Sequence, residues 1–461
     1  MIKIPSSLLK ITDAILQIGA SPMIVGGYVR DSLIGYPSKD IDIEVFGVDS
    51  LEKLKNILAP FGSTNMVGKS FGVLKLTTKD YELDISMPRT EIKTGVKHKD
   101  FSIKQDGYLT FKQAALRRDF KMNALGFDLK SKKIIDPFNG LKDIENRVIS
   151  HIADETFIED PLRVLRAVGF AARFDFEIEV ETKTLCKSMV KQGALTHLSK
   201  ERIFEEIKKI LLKSKKPSIA FYLTDELGIN ANIFPEIERL KGLKQRAKYH
   251  PEGDVFTHTL MALDVMAEYT GKNKLALMFA VLCHDFGKVE TTKLIDGEYR
   301  APAHEKVSVH LAQTFMSRLT DDKTLIETIL PLVHYHGEPK KFYESKVSDG
   351  AIRRLANRVN ISLLIEVSRA DVLGRATKDA LNGNFPAKEW LLKRASELQI
   401  KDSAPKQILG GRDLIAQGLT PSNKFKKILD LAFEAQMDGE FSNIEDGRRW
   451  LNKYLILTEY N

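Results

Sequence analysis

Cysteine is nearly absent from this chain. Cys186 and Cys283 are the two in 461 residues. They lie too far apart in sequence for a disulfide framework or a cysteine-based zinc site. That suits a reducing compartment, and a cytoplasmic location is expected. Long apolar runs are missing as well. The longest, Leu275 to Cys283, falls short of the roughly 20 residues that span a bilayer, so no membrane partner is expected. The first residues lack the continuous apolar stretch of a signal peptide. Instead Leu8, Ile11, Ile15 and Ile18 recur at helical spacing, the mark of an amphipathic surface helix. Repeats and low-complexity stretches are absent, and Gly 29 with Pro 16 excludes a collagen-like chain.

What is present is ordinary for a globular protein: 43% hydrophobic and 29% charged residues. The length allows about two to four domains. The net charge of +8 is unevenly spread. Ile92 to Lys133 holds eleven Lys/Arg and four Asp/Glu, so one segment carries nearly the whole imbalance. A clustered basic stripe points to a polyanion partner.

Residues 1–147 read as α/β. Met23–Val25 is a short apolar strand, followed by Gly26-Gly27 and a helix from about Val29 to Leu33. Asp40 to Val45 alternates, with Asp40, Asp42 and Glu44 opposite Ile41, Ile43 and Val45. Tyr81 to Met87 alternates again, and Asp84 lies on its acidic face. Beyond Asp143 the pattern is helical. Three all-α segments are expected, 148–240, 241–385 and 386–461. Asp160-Pro161 opens one helix, and Gly287 is expected to end another.

Asp40 and Asp42 project from one face of a strand. Adjacent carboxylates repel unless a cation sits between them, and phosphoryl transfer uses such pairs to hold divalent ions. Gly26-Gly27 lets backbone amides approach a ligand. The following helix N-terminus suits phosphate, and Arg30 adds charge. Alone, either motif would read as an exposed strand or an ordinary turn. Together, Gly26-Gly27-Tyr28-Val29-Arg30-Asp31 and Asp40-Ile41-Asp42 resemble the nucleotidyltransferase superfamily of DNA polymerase β. Within it they resemble the class II tRNA nucleotidyltransferases, or CCA-adding enzymes.

Four further segments match family motifs in order: Arg117-Arg118-Asp119-Phe120-Lys121-Met122-Asn123-Ala124, Asp136 to Gly140, Glu159 to Arg163, and Lys200-Glu201-Arg202. Lys121-Met122 departs from the usual Thr-Ile. Arg89 to Gly95 resembles the segment before a flexible loop, placed here at 92–113. The resemblance implies a polymerase-β-like head followed by helical neck, HD and tail domains. Asp40 and Asp42 would bind catalytic Mg²⁺. Gly26, Gly27, Arg30, Arg118, Asp119, Asn123, Asp160, Arg163 and Arg166 would bind the nucleotide. Asp84 is either a third carboxylate or a solvent-facing acid.

Asp160 and Arg163 are three apart at a helix start and sit side by side. A carboxylate accepts and a guanidinium donates. Cytosine and adenine both offer an amino donor beside a ring-nitrogen acceptor, so one such pair would accept CTP and ATP and reject UTP and GTP.

Seven of the ten histidines fall between His250 and His336, a clustering that favours metal binding. His258, His284-Asp285 and Asp371 resemble the ligand set of the HD phosphohydrolase superfamily. The implied ion is divalent: Mg²⁺, Ni²⁺ or Mn²⁺. His304 with His334 or His336 would complete a second metal site. His250 and His310 read as structural, and Lys288 would neutralise a bound phosphate. The whole resembles the bacterial, multifunctional kind of CCA-adding enzyme. Its partners would be tRNA, CTP and ATP, without DNA. Its HD domain is linked to 2′,3′-cyclic phosphodiesterase, 2′-nucleotidase and phosphatase activities. The alternatives are a poly(A) polymerase, a CC- or A-adding enzyme, or an HD hydrolase with an RNA-binding head. Oligomeric state is left open.

Overall fold

Alternation, caps and breakers place the elements of the computed structural model, which describes residues 2, 4–36, 40–67, 72–79, 81–93 and 101–458. The chain divides into two compact units, 1–214 with 219–233, and 215–218 with 234–461.

The first unit carries a seven-stranded sheet. Its strands are β1 (Ser21–Val25), β2 (Ile41–Phe46), β3 (Ser63–Val67), β4 (Val73–Thr77) and β5 (Glu82–Ser86). A separate hairpin pairs β6 (Arg89–Lys93) with β7 (Phe101–Gln105), and β8 (Gly126–Asp128) and β9 (Lys133–Ile135) complete the sheet. The strand order is β3-β4-β5-β2-β1-β8-β9. All pairings are antiparallel except β2 with β5. The period-two pattern of β2 buries Ile41, Ile43 and Val45 and leaves Asp42 exposed. The acidic face is nevertheless not open along its length. Glu44 is 1% exposed, because Arg117 meets its carboxylate at 3.1 Å and Arg118 lies 3.9 Å away.

Helix α1 (Ser6–Gln17) lays Leu8, Ile11 and Ile15 into the core beneath this sheet. It is joined there by α2 (Gly27–Ile34), through Tyr28 and Val29, and by α3 (Leu51–Leu58). Of the basic 92–113 loop, residues 94–100 lie outside the described residues. The rest forms parts of β6 and β7 and a short helix, Phe111–Ala115, capped by Thr110. Farther along, α4 (Leu162–Phe174) starts where Asp160 accepts a hydrogen bond from the Leu162 amide at 3.1 Å. Next in this unit, α5 (Lys200–Lys213) packs against α4.

The second unit is almost wholly helical. Its centre comprises α6 (Val255–Ala267), α7 (Lys274–Cys283), α8 (His304–Leu319), α9 (Lys323–Tyr335) and α10 (Ile361–Leu373). Helix α7 is apolar all round, so it is a core helix, buried from Ala276 to Cys283. It ends at Cys283, four residues before Gly287. Gly287 has φ −67° and does not act as a left-handed stop. A Cβ there would lie 2.2 Å from the His304 carbonyl oxygen and 2.5 Å from the Ser308 amide, so the glycine is required by close approach. A hairpin of β10 (Lys293–Ile295) and β11 (Glu298–Arg300) precedes α8. At the chain end, α11 (Gly411–Ala416), α12 (Lys424–Asp438) and α13 (Ile444–Thr458) share a small core of Leu414, Ile428, Leu451 and Leu455. Among the described residues no helix is long and apolar enough to cross a membrane.

Candidate active sites

In the first unit a cavity of about 540 Å³ opens between the β1–α2 turn and helices α4 and α5. Gly26 adopts φ +69°, and a Cβ there would stand 2.8 Å from Arg118 Nη1. Positive φ and lack of room both demand glycine. Register pairs Asp42 with Val25 on β1 and with Asp84 on β5, and Asp40 stands exposed just before β2. Although part of the Asp42 side chain meets solvent, the surrounding cavity wall strips water from its carboxyl and pushes the acid up. Arg118 opposes this, while Asp84 and Asp40 push it further. An acid raised by neighbouring acids is a group that a cation would relieve. Asp40 and Asp42 could hold such an ion, with Asp84 beside them. Asp42 lines the cavity; Asp40 and Asp84 lie outside its lining.

The other sequence-derived residues here, Gly26, Gly27, Arg30, Arg118, Asp119, Asn123, Asp160, Arg163 and Arg166, all line this cavity. Their hydrogen bonds separate their parts. Arg30 is committed to Asp31 at 2.6 Å and to the Asn123 side-chain oxygen, and it lies over the rings of Phe170 and Phe174. Its guanidinium holds Asn123 in place. Asn123 Nδ2 donates to Asp119 at 2.8 Å, and Arg166 Nε donates to the other Asp119 oxygen at 2.7 Å. Burial would raise the Asp119 acid, but Arg166 and Asn123 outweigh it and hold the carboxyl below its usual range. Asp160 and Arg163 share the cavity, but their hydrogen bonds go elsewhere. Arg202 clasps Asp160 at 3.1 and 2.8 Å. Arg163 donates to the carbonyls of Thr156 (2.5 Å) and Arg117 (2.7 Å). Arg173, Lys209 and Lys213 add further positive charge to the wall. A concave, strongly cationic site with acids at one edge suits a polyphosphate with its counter-cation.

The second constellation lies wholly in the second unit. His258 on α6, His284 and Asp285 after α7, His304 at the start of α8, His336 after α9 and Asp371 on α10 converge. His258 Nε2 is 3.2 Å from Asp371 and 3.8 Å from Asp285. His284 and His304 point Nε2 at Asp285, at 3.2 and 3.3 Å. His284, His304 and His336 each direct Nδ1 at a backbone carbonyl, those of Val281 (2.6 Å), Ala301 (3.0 Å) and Val333 (2.7 Å). A carbonyl only accepts, so Nδ1 carries the hydrogen and Nε2 the lone pair. The Nε2 atoms of His258, His284 and His304 are buried without hydrogen-bond partners, and the buried Asp285 Oδ2 atom meets the Lys288 ammonium at 2.7 Å. Acceptors aimed at acceptors fit a divalent cation. Burial holds the His336 imidazole down, to about 4, and therefore neutral. His334 stands apart, its ring 4.4 Å from that of Tyr335. His310 is exposed.

Sequence reasoning assigned no part to several residues around these sites. Glu252 sits 2.9 Å from His250 Nδ1 and 3.0 Å from His258 Nδ1. Arg375 donates to Asp371 at 2.7 Å. Glu44, Asp31 and Arg173 brace the first cavity. The segment Tyr249-His250-Pro251-Glu252-Gly253 leads into α6, which Asp254 caps. Lys288 stands 2.7 Å from Asp285 and 2.7 Å from the Gln245 side-chain oxygen.

Comparison with known proteins gives three family matches: a poly(A) polymerase head domain at 22–150, a probable RNA- and SrmB-binding site of polymerase A at 175–241, and an HD domain at 255–376. A multifunctional CCA protein of Mannheimia succiniciproducens is 34% identical over 426 residues, covering 88% of this chain and 97% of that protein. Its counterpart from Dechloromonas aromatica is 37% identical over 327 residues, or 70% and 76% of the two chains. Among solved structures, the Bacillus stearothermophilus CCA-adding enzyme in complex with CTP superposes with TM-score 0.70 at 21% identity, covering 99% of this chain and 100% of that one. The Thermotoga maritima CCA-adding enzyme complexed with tRNA gives 0.58 at 22%, covering 98% and 96%. At those identities the solved structures show a shared fold.

Proposed function

The chain belongs to the family of multifunctional CCA proteins, and on that premise we propose that it adds C, C and A to the 3′ end of tRNA from CTP and ATP. A second, HD-type centre hydrolyses phosphate esters. The observation that carries the first activity is the cationic cavity with Asp42 at its edge and Asp160 and Arg163 on its wall.

The tRNA 3′-oxygen forms a bond to the α-phosphorus, and the bond from that phosphorus to pyrophosphate breaks. Mg²⁺ held by Asp40 and Asp42 would supply activation of the hydroxyl and neutralise charge on the departing pyrophosphate. The amides at Gly26-Gly27 and the Arg118 guanidinium receive the phosphates. Asp119 and Asn123, locked by Arg166 and Arg30, hold the ribose. Asp160 and Arg163 read the base edge. Arg202 takes two and the Leu162 amide one of the roughly four lone-pair positions on Asp160, which leaves one acceptor for an exocyclic amino group. In the second unit His258, His284, Asp285 and Asp371 would hold a divalent ion, with His304 and His336 available to another. Such an ion supplies a bound water of lowered pKa. Lys288 lies where a phosphate approaching Asp285 would meet positive charge. Both cysteines are buried and free, which supports a reducing, cytoplasmic setting.

The test is end-labelled tRNA lacking its 3′ CCA, incubated with Mg²⁺ and CTP, ATP or both. Three added nucleotides that require both triphosphates support the reading. A long ladder with ATP alone would replace it with poly(A) synthesis, and CC or A alone with partial addition.

A further inference from the structure

The orphaned buried atoms of the HD centre are acceptors and acceptor-facing ring nitrogens. At its mouth the sign reverses. Gln245 Nε2 and Arg246 Nε are buried donors without partners. The Gln245 amide is oriented by Lys288, whose ammonium can only donate, so its oxygen faces Lys288 and its NH₂ faces away. Arg246 is gripped by Glu298 at 2.7 Å through Nη2, which leaves Nε over. Unmet donors call for an acceptor, as unmet acceptors call for a cation.

Like charges gather at the same place. Arg246, Lys248 and Lys340 all lie over the ring of Tyr249, at 5.0, 5.6 and 5.6 Å, and Lys244 lies over Tyr299 at 5.7 Å. Among the described residues the Lys244 and Lys248 ammonium groups face rings and pair with no carboxylate. Arg246 and Lys340 have one carboxylate each, Glu298 and Glu344, so the cluster keeps an excess of positive charge that an anion would relieve. The tract has length as well as charge. A cavity of about 160 Å³ runs from His304 and Lys288 to Tyr249 and Tyr299. A second of about 600 Å³ continues along Lys244, Arg246 and Lys248. The two share Lys244, Gln245, Arg246, His250 and Tyr299. Partly exposed tyrosine faces with cations between them form the usual platform for single-stranded nucleic acid.

We propose that residues 244–250 and the β10–β11 hairpin form a subsite for the phosphodiester backbone of an RNA strand whose 3′ end lies in the HD centre. This rests on reading that centre as a phosphohydrolase. The strand's penultimate phosphate meets the Arg246 and Gln245 donors, and its bases stack on Tyr249 and Tyr299. The centre therefore prefers polynucleotide ends to free nucleotides.

Two substrates test this on the full-length, metal-loaded protein: adenosine 2′,3′-cyclic phosphate and an RNA hexanucleotide ending in the same cyclic phosphate. The hexanucleotide should show a KM at least tenfold lower. Arg246→Ala should lower the hexanucleotide-to-mononucleotide ratio of kcat/KM about tenfold. So should the surface double variant Lys244→Ala with Lys248→Ala, which guards against a folding defect at Arg246. A ratio that does not move in either variant overturns the subsite. A second measurement does not depend on hydrolysis. A hexanucleotide with a 3′-phosphate and 5-iodouridine at its penultimate position is photocrosslinked to metal-free protein, and the attachment is mapped by mass spectrometry. Attachment within 244–250 or 293–300 supports the subsite even if neither substrate is cleaved, in which case only the phosphohydrolase reading fails. Attachment confined to other segments overturns the subsite.

Discussion

Arg202 clasps both carboxylate oxygens of Asp160, at 3.1 and 2.8 Å across 42 residues of sequence. The pairing fixes the plane of the acid that would face a base edge. Such charge-assisted, bidentate bonds contribute about 1.5–3 kcal/mol. Arg202→Ala should therefore lower kcat/KM for CTP and ATP by roughly ten- to a hundredfold. It should also raise incorporation of UTP, because Asp160 no longer presents one orientation. Single-nucleotide extension of labelled tRNA measures both. Unchanged discrimination would remove Arg202 from base selection.

The two centres share no residues, so they should be separable. Asp42→Asn keeps the shape of the side chain and removes its charge. Nucleotide addition should fall by several orders of magnitude, while phosphate-ester hydrolysis in the second unit persists. Loss of both activities would show that the variant disturbs folding, and a circular-dichroism melt would reveal that.

Facing lone pairs in the HD centre predict a stability effect as well as a catalytic one. A divalent ion that binds the folded state alone raises stability by about 2.7 kcal/mol at a hundred times its dissociation constant. Thermal melts after chelation and after adding Ni²⁺ or Mn²⁺ should differ by several degrees. His284→Ala should abolish the difference. A melt indifferent to metal in the wild-type protein would contradict the ligand arrangement.

Gly287 allows α8 to touch the turn that carries His284 and Asp285. Gly287→Ala puts a methyl group against the His304 carbonyl oxygen and the Ser308 amide. Both are backbone atoms, so the helix start must shift. A cost of about 1–3 kcal/mol is expected, with weaker metal binding by calorimetry because His304 moves with it.

In the tail, Asp413 accepts a hydrogen bond from the Gly410 amide at 2.9 Å and joins Arg448 on α13 at 2.9 Å. The Gly410 amide, with Arg448 assisting, holds this carboxyl below its ordinary range. A depressed carboxylate stabilises the fold above its unfolded pKa, near 3.9, and loses that contribution as pH falls through the folded value. Asp413→Ala should cost about 1 kcal/mol at pH 7. The gap between variant and parent should close only below about pH 4. Trp450, stacked on Tyr454 in the same core, reports this by fluorescence in a Trp390→Phe background.

Much of the architecture could be read from pattern. The alternation of Asp40 to Val45, the amphipathic Leu8–Ile11–Ile15 spacing and the Asp160-Pro161 helix start each obey a local rule, and each lies where that rule puts it. Gly26 reads in the sequence as a place where a ligand can approach the backbone; its positive φ and the closeness of Arg118 are what the structure adds. What could not be read depends on partners distant in sequence. Glu44 looks like one more solvent-facing acid until Arg117 folds over it. Arg30 looks like a phosphate ligand, yet Asp31 and Asn123 occupy its guanidinium. Gly287 looks like a helix stop, and its reason is a helix that begins 17 residues later. Glu252 and Gln245 carry no motif at all. They matter through His258 and Lys288, and only tertiary packing brings those pairs together.

Helix α4 is fastened to α2 by a largely buried ion pair and by Arg30 of α2 lying over the Phe170 and Phe174 rings of α4. Arg173 meets Asp31 at 2.7 Å, and Arg30 shares that carboxylate and holds Asn123. Breaking that pair would cost about 3–5 kcal/mol. On the proposed reading, the turn that would receive phosphates and the helix start that would meet the base therefore form the two jaws of one caliper with a fixed gap. A purine and a pyrimidine differ in width, and the caliper cannot open to suit each. Asp160 is itself held by Arg202, and Arg163 by two carbonyls, so on the proposed reading the adjustment from C to A would fall to groups outside this rigid gauge.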